Sequence, residues 1–263
     1  MPETDLALLI DAAREAGEIA KRYFKNDPDV TDKPGGAGPV TEADLAVNAA
    51  LEAQLRQARP EYGWLSEESA DGPERLATDR QFILDPIDGT RAFIEGSRDW
   101  AHALAVVENG VVTAGAVYLP MRDLMFAATK GGGAVVNDEP ISATQTDAED
   151  ATVLATKVNF QGRFWKGHTP PPVKRSFRSS LAYRLCLVAQ GRFDGMLTLR
   201  PSWEWDIAAG ALIAAEAGAV VTDPSERRLR FNNPHPQVPG VLAAGTDLHQ
   251  RLVARLEPQA RTA

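Results

Sequence analysis

The chain has 263 residues, 44% of which are hydrophobic, so it can fold as one large domain or two modest ones around a sizeable core. Its 36 acidic and 28 basic side chains give a net charge of -8. The basic residues form no stripe of the kind that binds a phosphate backbone, which argues against polymeric nucleic acid as a partner.

The N-terminus and the single cysteine both favour a cytoplasmic protein. The segment from Met1 to Ile10 lacks the basic start and the uninterrupted apolar core of a signal peptide. The most apolar stretch, Ile207 to Val221, is interrupted by Glu216 and falls short of the about 20 residues that span a membrane. Cys186 has no partner for an internal disulfide, which fits a reducing compartment. We therefore expect a cytoplasmic protein that contacts no membrane.

Two amphipathic helices are predicted at the N-terminal end of the chain. Apolar residues recur at spacings of three and four over residues 6–24, which indicates a helix that begins near Thr4 or Asp5. A second helix is predicted to begin at Thr41, whose side chain can cap the first turn. Asp44 follows three residues later, as in a capping box.

Short β-prone runs replace the helical pattern from Gly63 onward. They cover residues 64–66, 82–84, 101–108, 111–118 and 124–128. Asn109 and Gly110 lie between two of these runs and form the strongest short hairpin signal in the chain. The segment predicts an antiparallel meander backed by the two N-terminal helices.

Strands and helices alternate in the second half of the chain. The predicted strands cover residues 152–156, 195–199, 219–222 and 241–244, and the predicted helices cover residues 179–190, 206–217 and 246–256. Such alternation favours a second unit of the α/β type. We therefore expect an N-terminal α+β part, residues 1–145, and a C-terminal α/β part, residues 146–263.

Acidic residues stand at the ends of three predicted elements. Those residues are Glu67, Glu68, Asp85, Asp88 and Asp206. Taken alone, Asp88 and Gly89 after Pro86 fit an ordinary turn equally well. Converging carboxylates would repel one another without a cation, whereas Mg²⁺ takes oxygen ligands and keeps further positions for water and phosphate. The chain offers no cluster of histidine and cysteine, which argues against a zinc or iron site. The histidines, predicted to be structural or solvated, are His102, His168, His235 and His249.

These motifs resemble those of a known family. Residues 85–90 are similar to the DPIDGT signature of the inositol monophosphatase family, and residues 205–210 are similar to its WDxAAG signature. Glu67 and Glu68 resemble its paired-glutamate strand end, and residues 40–44 resemble its VTxAD segment. The resemblance spans the chain in the right order. It implies an αβαβα layered sandwich, of mixed α+β and α/β class, and a Mg²⁺-dependent phosphoric monoester hydrolase.

The resemblance also implies a set of metal ligands. One Mg²⁺ would be held by Glu67, Asp85 and the Ile87 carbonyl, and a second by Asp85, Asp88 and Asp206. A third ion would bind weakly near Glu67, so that two or three ions occupy the site. Glu68 would orient a ligand rather than bind metal. The N-terminal part would thus carry most of the ligands, and the C-terminal part would supply Asp206.

Further residues receive catalytic or substrate-binding roles from the same resemblance. Thr90, with help from Asp44, would orient the water that Glu67 and the metal activate. The phosphate would rest against the Gly89 and Thr90 amides, beside Asp88. Lys33, which precedes a glycine-rich stretch at residues 34–39, is either a solvated charge or a residue that closes the site.

The rim of the site leaves the substrate open. The family that the chain resembles includes inositol monophosphatases, 3'(2'),5'-bisphosphate nucleotidases, histidinol-phosphate phosphatases and fructose-1,6-bisphosphatase-like enzymes. The inositol branch usually has an acid a few residues before WDxAAG, but residues 197–202 contain none. Arg91 and Arg200 could contact a second phosphate, although Arg91 could equally pair with Glu95 on the surface.

Our hypothesis from the sequence is a phosphatase that acts on a small phosphorylated polyol such as an inositol monophosphate. A bisphosphate nucleotidase or a histidinol-phosphate phosphatase is the alternative within the family. An alternative of another class is a non-catalytic regulator that binds a metal or a metabolite. The resemblance further leads us to expect inhibition by Li⁺ and a homodimer.

Overall fold

Helices and strands account for most of the described chain. The computed structural model describes residues 4–26, 28–33, 38–146 and 149–258. Residues 34–37, most of the glycine-rich stretch that follows Lys33, lie outside the described residues. No helix in the described ranges is both long enough and apolar enough to cross a membrane.

The two N-terminal helices form as predicted. Helix α1 spans Asp5–Tyr23, and the Thr4 side chain accepts a hydrogen bond from the Ala7 amide at its start. Helix α2 spans Glu42–Ala58 and begins with a capping box between Thr41 and Asp44, in which each side chain bonds the other residue's backbone amide. The local polar signal therefore fixes where each helix starts.

A short antiparallel hairpin between these helices is missing from the sequence-based prediction. Strand β1 spans Val30–Asp32 and strand β2 spans Pro39–Thr41. Every residue of β1 is exposed, so the strand lacks the alternation of apolar and polar residues that would reveal it. The hairpin places Lys33 directly after β1.

A seven-stranded sheet follows, with its strands in chain order. The strands are β3 Gly63–Ser66, β4 Arg80–Asp88, β5 Ala101–Glu108, β6 Val111–Leu119, β7 Leu124–Thr129, β8 Ala134–Val136 and β9 Glu139–Pro140. The predicted antiparallel meander is confirmed from β4 to β9, and Asn109 and Gly110 both take positive φ in the β5–β6 turn. The β3–β4 pair is parallel, because a crossover containing the 3₁₀ helix Pro73–Ala77 connects the two strands. The short helix α3 spans Thr90–Ile94, between β4 and β5.

The second half of the chain forms a mixed sheet, a two-stranded ribbon and three helices. The strands are β10 Thr152–Leu154, β11 Lys174–Ser176, β12 Gly195–Thr198, β13 Ser202–Trp203, β14 Val220–Thr222, β15 Gln237–Val238 and β16 Val241–Ala244. The helices are α4 Leu181–Ala189, α5 Glu204–Glu216 and α6 Thr246–Arg255. The five-stranded sheet has the order β11-β10-β12-β16-β14, while β13 pairs only with β15.

The elements stack in five layers. Alternate residues of β4 face opposite sides of the seven-stranded sheet: Phe82 and Leu84 pack with α1 and α2, whereas Ile83 packs with α4 and α5. The far side of α4 and α5 meets the five-stranded sheet, whose other face is covered by α6 through Leu248 and Leu252. This arrangement confirms the αβαβα sandwich.

Helices α4 and α5 join the two predicted parts of the chain. Both belong to residues 146–263, yet they share one hydrophobic core with the sheet of residues 63–140. The end of β4 and the beginning of α5 therefore come together inside one continuous core. The division at residue 145 stays a prediction.

Candidate functional site

The end of strand β4 departs from regular pairing with β5. Asp85 lies opposite Ala103 and Asp88 lies opposite Ala101, so Pro86 and Ile87 together face the single residue His102. The Ile87 amide donates a hydrogen bond to the Asp85 side chain, 2.9 Å away. Such a bulge bends the strand and changes the direction of its side chains. It lets one strand end present two carboxylates.

Three carboxylates meet next to this bulge. Glu67 follows β3, Asp85 is part of β4, and Asp206 lies in the first turn of α5. One carboxylate oxygen from each residue lies within 4.8 Å of the other two. Asp85 is buried, whereas Glu67 and Asp206 are half-buried. The structure thus brings together acids from three separate element ends.

Burial and mutual repulsion make this group costly to ionise. Burial raises the pKa of Asp85 well above its usual value, and the charges of Glu67, Asp88 and Asp206 raise it further. Burial also raises the pKa of Asp206 well above its usual value, with Asp88 and Glu67 adding to the effect. A divalent cation would relieve this repulsion, and carboxylate oxygens are the ligands that Mg²⁺ takes. The donor set therefore fits a magnesium ion.

Asp88 lies beside this group and is held by helix α4. Its Oδ2 accepts hydrogen bonds from the Ser180 hydroxyl at 2.7 Å and from the Ala182 amide at 2.6 Å. Burial raises the pKa of Asp88 to about 6, although these two hydrogen bonds oppose the shift. The structure does not place Asp88 within the three-carboxylate group, but its charge acts on both Asp85 and Asp206.

Lys33 reaches the acidic group from the β1–β2 hairpin. Its Nζ lies 2.7 Å from Glu67 Oε1 and 2.6 Å from Glu68 Oε1. Burial raises the pKa of Glu68 to about 7, against the opposing effect of Lys33. Burial disfavours the Lys33 ammonium, yet the two glutamates hold its pKa above the usual value. Lys33 therefore supplies a positive charge at the edge of the site.

A hydrogen-bonded chain connects helix α2 to Thr90. Asp44 is fully buried, and its Oδ2 accepts from the Thr41 amide at 2.8 Å. The Thr90 hydroxyl oxygen lies 3.2 Å from Asp44 Oδ1 and 3.2 Å from the Ile87 carbonyl oxygen. Burial raises the pKa of Asp44. This chain fixes the Thr90 side chain next to the backbone that joins Asp85 to Asp88.

Gly89 makes the turn between β4 and α3 possible. Its φ is +102°, a conformation that residues with a side chain rarely adopt. A Cβ atom at this position would also lie 3.2 Å from the Asp99 carbonyl oxygen. The requirement for glycine explains the Asp88-Gly89-Thr90 sequence, and contact of the Gly89 and Thr90 amides with phosphate stays a prediction.

The two arginines predicted at the rim are both exposed. Neither the Arg91 nor the Arg200 side chain has a hydrogen-bond or ion-pair partner among the described residues, and no ion pair joins Arg91 to Glu95. The charge of Arg200 favours the ionised form of Asp206 and so opposes the rise in the pKa of that carboxyl. Contact of either arginine with a substrate stays a prediction.

Sequence reasoning missed the contacts that Ser180 and His102 make around the site, although it predicts His102 to be structural or solvated. Ser180 caps α4 by accepting from the Tyr183 amide, and its hydroxyl reaches Asp88. A serine before an apolar run is a recognisable cap signal, but its contact with Asp88, 92 residues away, is not local. His102 hydrogen bonds with Pro86, and no sequence spacing marks that contact.

Known proteins resemble the chain in both sequence and structure. A model of the inositol monophosphatase family matches residues 1–261. The chain is 34% identical over 229 residues to the Nus factor SuhB of Escherichia coli K12, with 83% of this chain and 84% of that protein covered. It is 32% identical over 251 residues to inositol monophosphatase 1 of Solanum lycopersicum, with 89% and 92% covered. A solved structure of an IMPase from Thermotoga maritima matches with a TM-score of 0.78 and 29% identity over 94% of each chain.

Proposed function

The chain belongs to the inositol monophosphatase family and is a phosphoric monoester hydrolase, and we propose that it uses Mg²⁺ to hydrolyse a small phosphorylated metabolite. The observation that carries the proposal is the group formed by Glu67, Asp85 and Asp206, whose carboxylate oxygens lie within 4.8 Å of one another. Three ionised carboxylates at this separation require positive charge, and Lys33 contacts only Glu67 of the three.

The metal would be held by this group, with Asp88 and the Ile87 carbonyl as further proposed ligands. When bound, Mg²⁺ supplies charge that stabilises the phosphoryl oxygens and lowers the pKa of water at the site. The protein's part is to fix the ligands, and the bulge at Pro86 and Ile87 does so by holding Asp85 and Asp88 at one strand end. We propose two or three ions per site.

The residues of the chain would orient the attacking water. Asp44 Oδ1 lies 3.2 Å from the Thr90 hydroxyl oxygen and can accept its proton in a hydrogen bond. The Thr90 oxygen then keeps a lone pair that can accept a hydrogen bond from water. We assign Glu67 as the carboxylate that receives the proton which water gives up on attacking phosphorus. The P–O bond to the alcohol breaks, the leaving alkoxide takes a proton from solvent, and the products are inorganic phosphate and the free alcohol.

We propose a small phosphorylated polyol, such as an inositol monophosphate, as the substrate. The second candidate is a 3'(2'),5'-bisphosphate nucleotide. The exposed side chains of Arg91 and Arg200, which have no partner in the part of the chain that the structure describes, favour this candidate. The absence of an acid in residues 197–202 favours it as well. Histidinol phosphate belongs in the same comparison.

The test is phosphate release in Mg²⁺ from inositol 1-phosphate, adenosine 3',5'-bisphosphate, histidinol phosphate and fructose 1,6-bisphosphate. We expect turnover of at least one ester and a loss of about 100-fold or more in Asp206→Asn, because that change removes one anionic ligand. Asp11→Asn makes the same chemical change at an exposed position of α1 and should retain activity. Equal rates in both variants would contradict the proposal.

A non-catalytic regulator is the alternative of another class. The Escherichia coli relative carries the name of a Nus factor. A regulator that performs no chemistry needs no converging carboxylates. The complete acidic group of this chain supports the phosphatase. We further propose a homodimer in the cytoplasm, without contact to nucleic acid or membrane.

A further inference from the structure

Two tryptophans stack at the N-terminus of helix α5. The rings of Trp203 and Trp205 lie 4.7 Å apart with an angle of 7° between their planes. Trp203 immediately precedes α5, while Asp206 lies in the first turn of the same helix. The Trp203 side chain remains 36% exposed, although a tryptophan usually buries more of its surface. Part of the Trp203 surface is therefore open to solvent, three positions along the chain from a proposed metal ligand.

His235 extends this aromatic surface. Its ring packs edge-on against Trp203, with 5.4 Å between ring centroids and a 60° angle between planes. His235 is exposed and lies just before β15, where Gln237 pairs with Trp203. The Glu204 amide also donates to the Pro236 carbonyl at 3.0 Å. The chain that follows His235 is thus fixed to the chain that carries the tryptophans.

The chain that precedes His235 is fixed by two buried charged side chains. Glu204 is fully buried and accepts hydrogen bonds from the Asn232 amide at 2.6 Å and the Asn233 amide at 2.9 Å. Arg75 is 3% exposed and donates to the Asn232 side chain at 2.6 Å and the Asn233 carbonyl at 3.0 Å. Burying charge is costly unless it is well paired, so this loop has an unusually rigid anchor.

We propose that Trp203, Trp205 and His235 form a subsite that stacks against a nucleobase in the leaving group of the phosphate ester. The proposal rests on the proposed phosphatase activity and selects, of the two candidate substrates, the bisphosphate nucleotide over the polyol. Aromatic side chains can stack on the face of any nucleobase. A platform that is already rigid loses little conformational entropy when a ligand binds. Arg200, whose side chain has no partner among the described residues, precedes Trp203 by three positions and supplies a cation for a second phosphate.

The experiment compares two esters that differ only in the base. They are adenosine 3',5'-bisphosphate and the methyl riboside 3,5-bisphosphate, which has the same sugar and phosphates. We expect kcat/KM to favour the nucleotide by about 10-fold to 100-fold, the usual effect of one stacked base. Trp203→Ala should bring the ratio of kcat/KM between the two esters within about 3-fold of unity, chiefly by raising the KM for the nucleotide. Trp203→Phe keeps an aromatic ring and should retain most of the preference for the nucleotide.

Controls separate the subsite from the general activity and from folding. Val158→Ala changes another exposed apolar residue and should leave the ratio unchanged. The proposal would be overturned by equal kcat/KM values for the two esters in the unmodified protein, or by an equal loss of kcat/KM for both esters in Trp203→Ala. Inositol 1-phosphate is assayed in parallel, because failure to hydrolyse any ester counts against the proposed phosphatase instead. In that case calorimetric titration of the same two bisphosphates decides whether the base is bound.

Discussion

The imidazole of His102 donates a hydrogen bond from Nδ1 to the carbonyl oxygen of Pro86. Pro86 lies between two predicted metal-binding residues, Asp85 and Ile87, and opposite His102 in the irregular β4–β5 pairing. Burial lowers the pKa of His102 to about 4, so the ring is neutral at physiological pH. The side chain therefore supports the bulge at a point where regular backbone pairing between the strands is lost.

His102→Leu is expected to weaken Mg²⁺ binding by about 10-fold or more, the usual effect of removing a group that orients metal ligands. The change removes the hydrogen-bond donor from the carbonyl of the buried residue Pro86 and frees the backbone between Asp85 and Asp88. His102→Asn keeps a donor and should recover part of the affinity. Calorimetric titration with Mg²⁺ measures this without turnover. Equal affinities for both variants and the unmodified protein would show that His102 has only a packing role.

The sequence predicts those features of the fold and of the site that depend on residues close together in the chain. Thr41 and Asp44 form the predicted capping box, and Asn109 with Gly110 forms the predicted hairpin. The three carboxylates also stand at element ends, which polar residues after apolar runs indicate. In each case the residues that give the signal lie within a few positions of one another in the sequence.

Contacts between distant segments could not be predicted in the same way. The shift of register that places Pro86 and Ile87 opposite His102 depends on how β4 pairs with β5. The bond from Ser180 to Asp88 depends on where α4 meets the sheet. Neither segment contains a local pattern that encodes its partner, because burial and packing of the whole core decide it.

Stability of the metal-free protein is expected to fall as pH rises from about 4 to 7. Folding raises the pKa of Asp88 to about 6 and that of Glu68 to about 7, and raises those of Asp85 and Asp206. The folded state therefore binds more protons than the unfolded state in this pH interval. The free energy of unfolding falls as those protons dissociate. Melting temperatures measured in a chelator should decline across the interval.

Mg²⁺ should remove most of this decline, because it competes with protons for the same carboxylates and therefore stabilises the folded state more as pH rises. A ligand that binds only the folded state stabilises it by about 2.7 kcal/mol where its concentration is 100 times its Kd. The same melting series in saturating Mg²⁺ provides the comparison. Parallel curves with and without Mg²⁺ would contradict a metal site at these carboxylates.

Lys33→Met is expected to strengthen Mg²⁺ binding at pH 8. The Lys33 ammonium bonds both Glu67 and Glu68 and thus competes with a metal for the same carboxylates. Removing a competing ion pair worth about 1 kcal/mol would raise the affinity roughly 5-fold. Calorimetric titration checks the change, with the exposed Lys130→Met as the matched control. Weaker binding in Lys33→Met would show that the lysine supports the metal site instead.

Li⁺ at millimolar concentration is expected to slow phosphate release in the presence of Mg²⁺. A small monovalent cation can occupy a weak oxygen site near Glu67 without supplying the charge of a divalent ion. Steady-state rates in LiCl are compared with rates in KCl at the same ionic strength, which separates a specific effect from screening. Equal rates in both salts would contradict a third, exchangeable ion.

Thr90→Ala is expected to lower kcat by about 100-fold or more while changing Mg²⁺ affinity little. The Thr90 hydroxyl lies 3.2 Å from Asp44 Oδ1 and belongs to no carboxylate of the metal group, so its loss affects the water rather than the ion. Thr90→Ser keeps the hydroxyl and should retain most of the activity. Asp44→Asn tests the other end of the hydrogen bond, because an amide that turns its NH₂ toward Thr90 reverses the direction of donation. Similar losses of kcat in Thr90→Ser and Thr90→Ala would show that the hydroxyl does not orient the water. The effect would then come from the methyl group and the packing of α3.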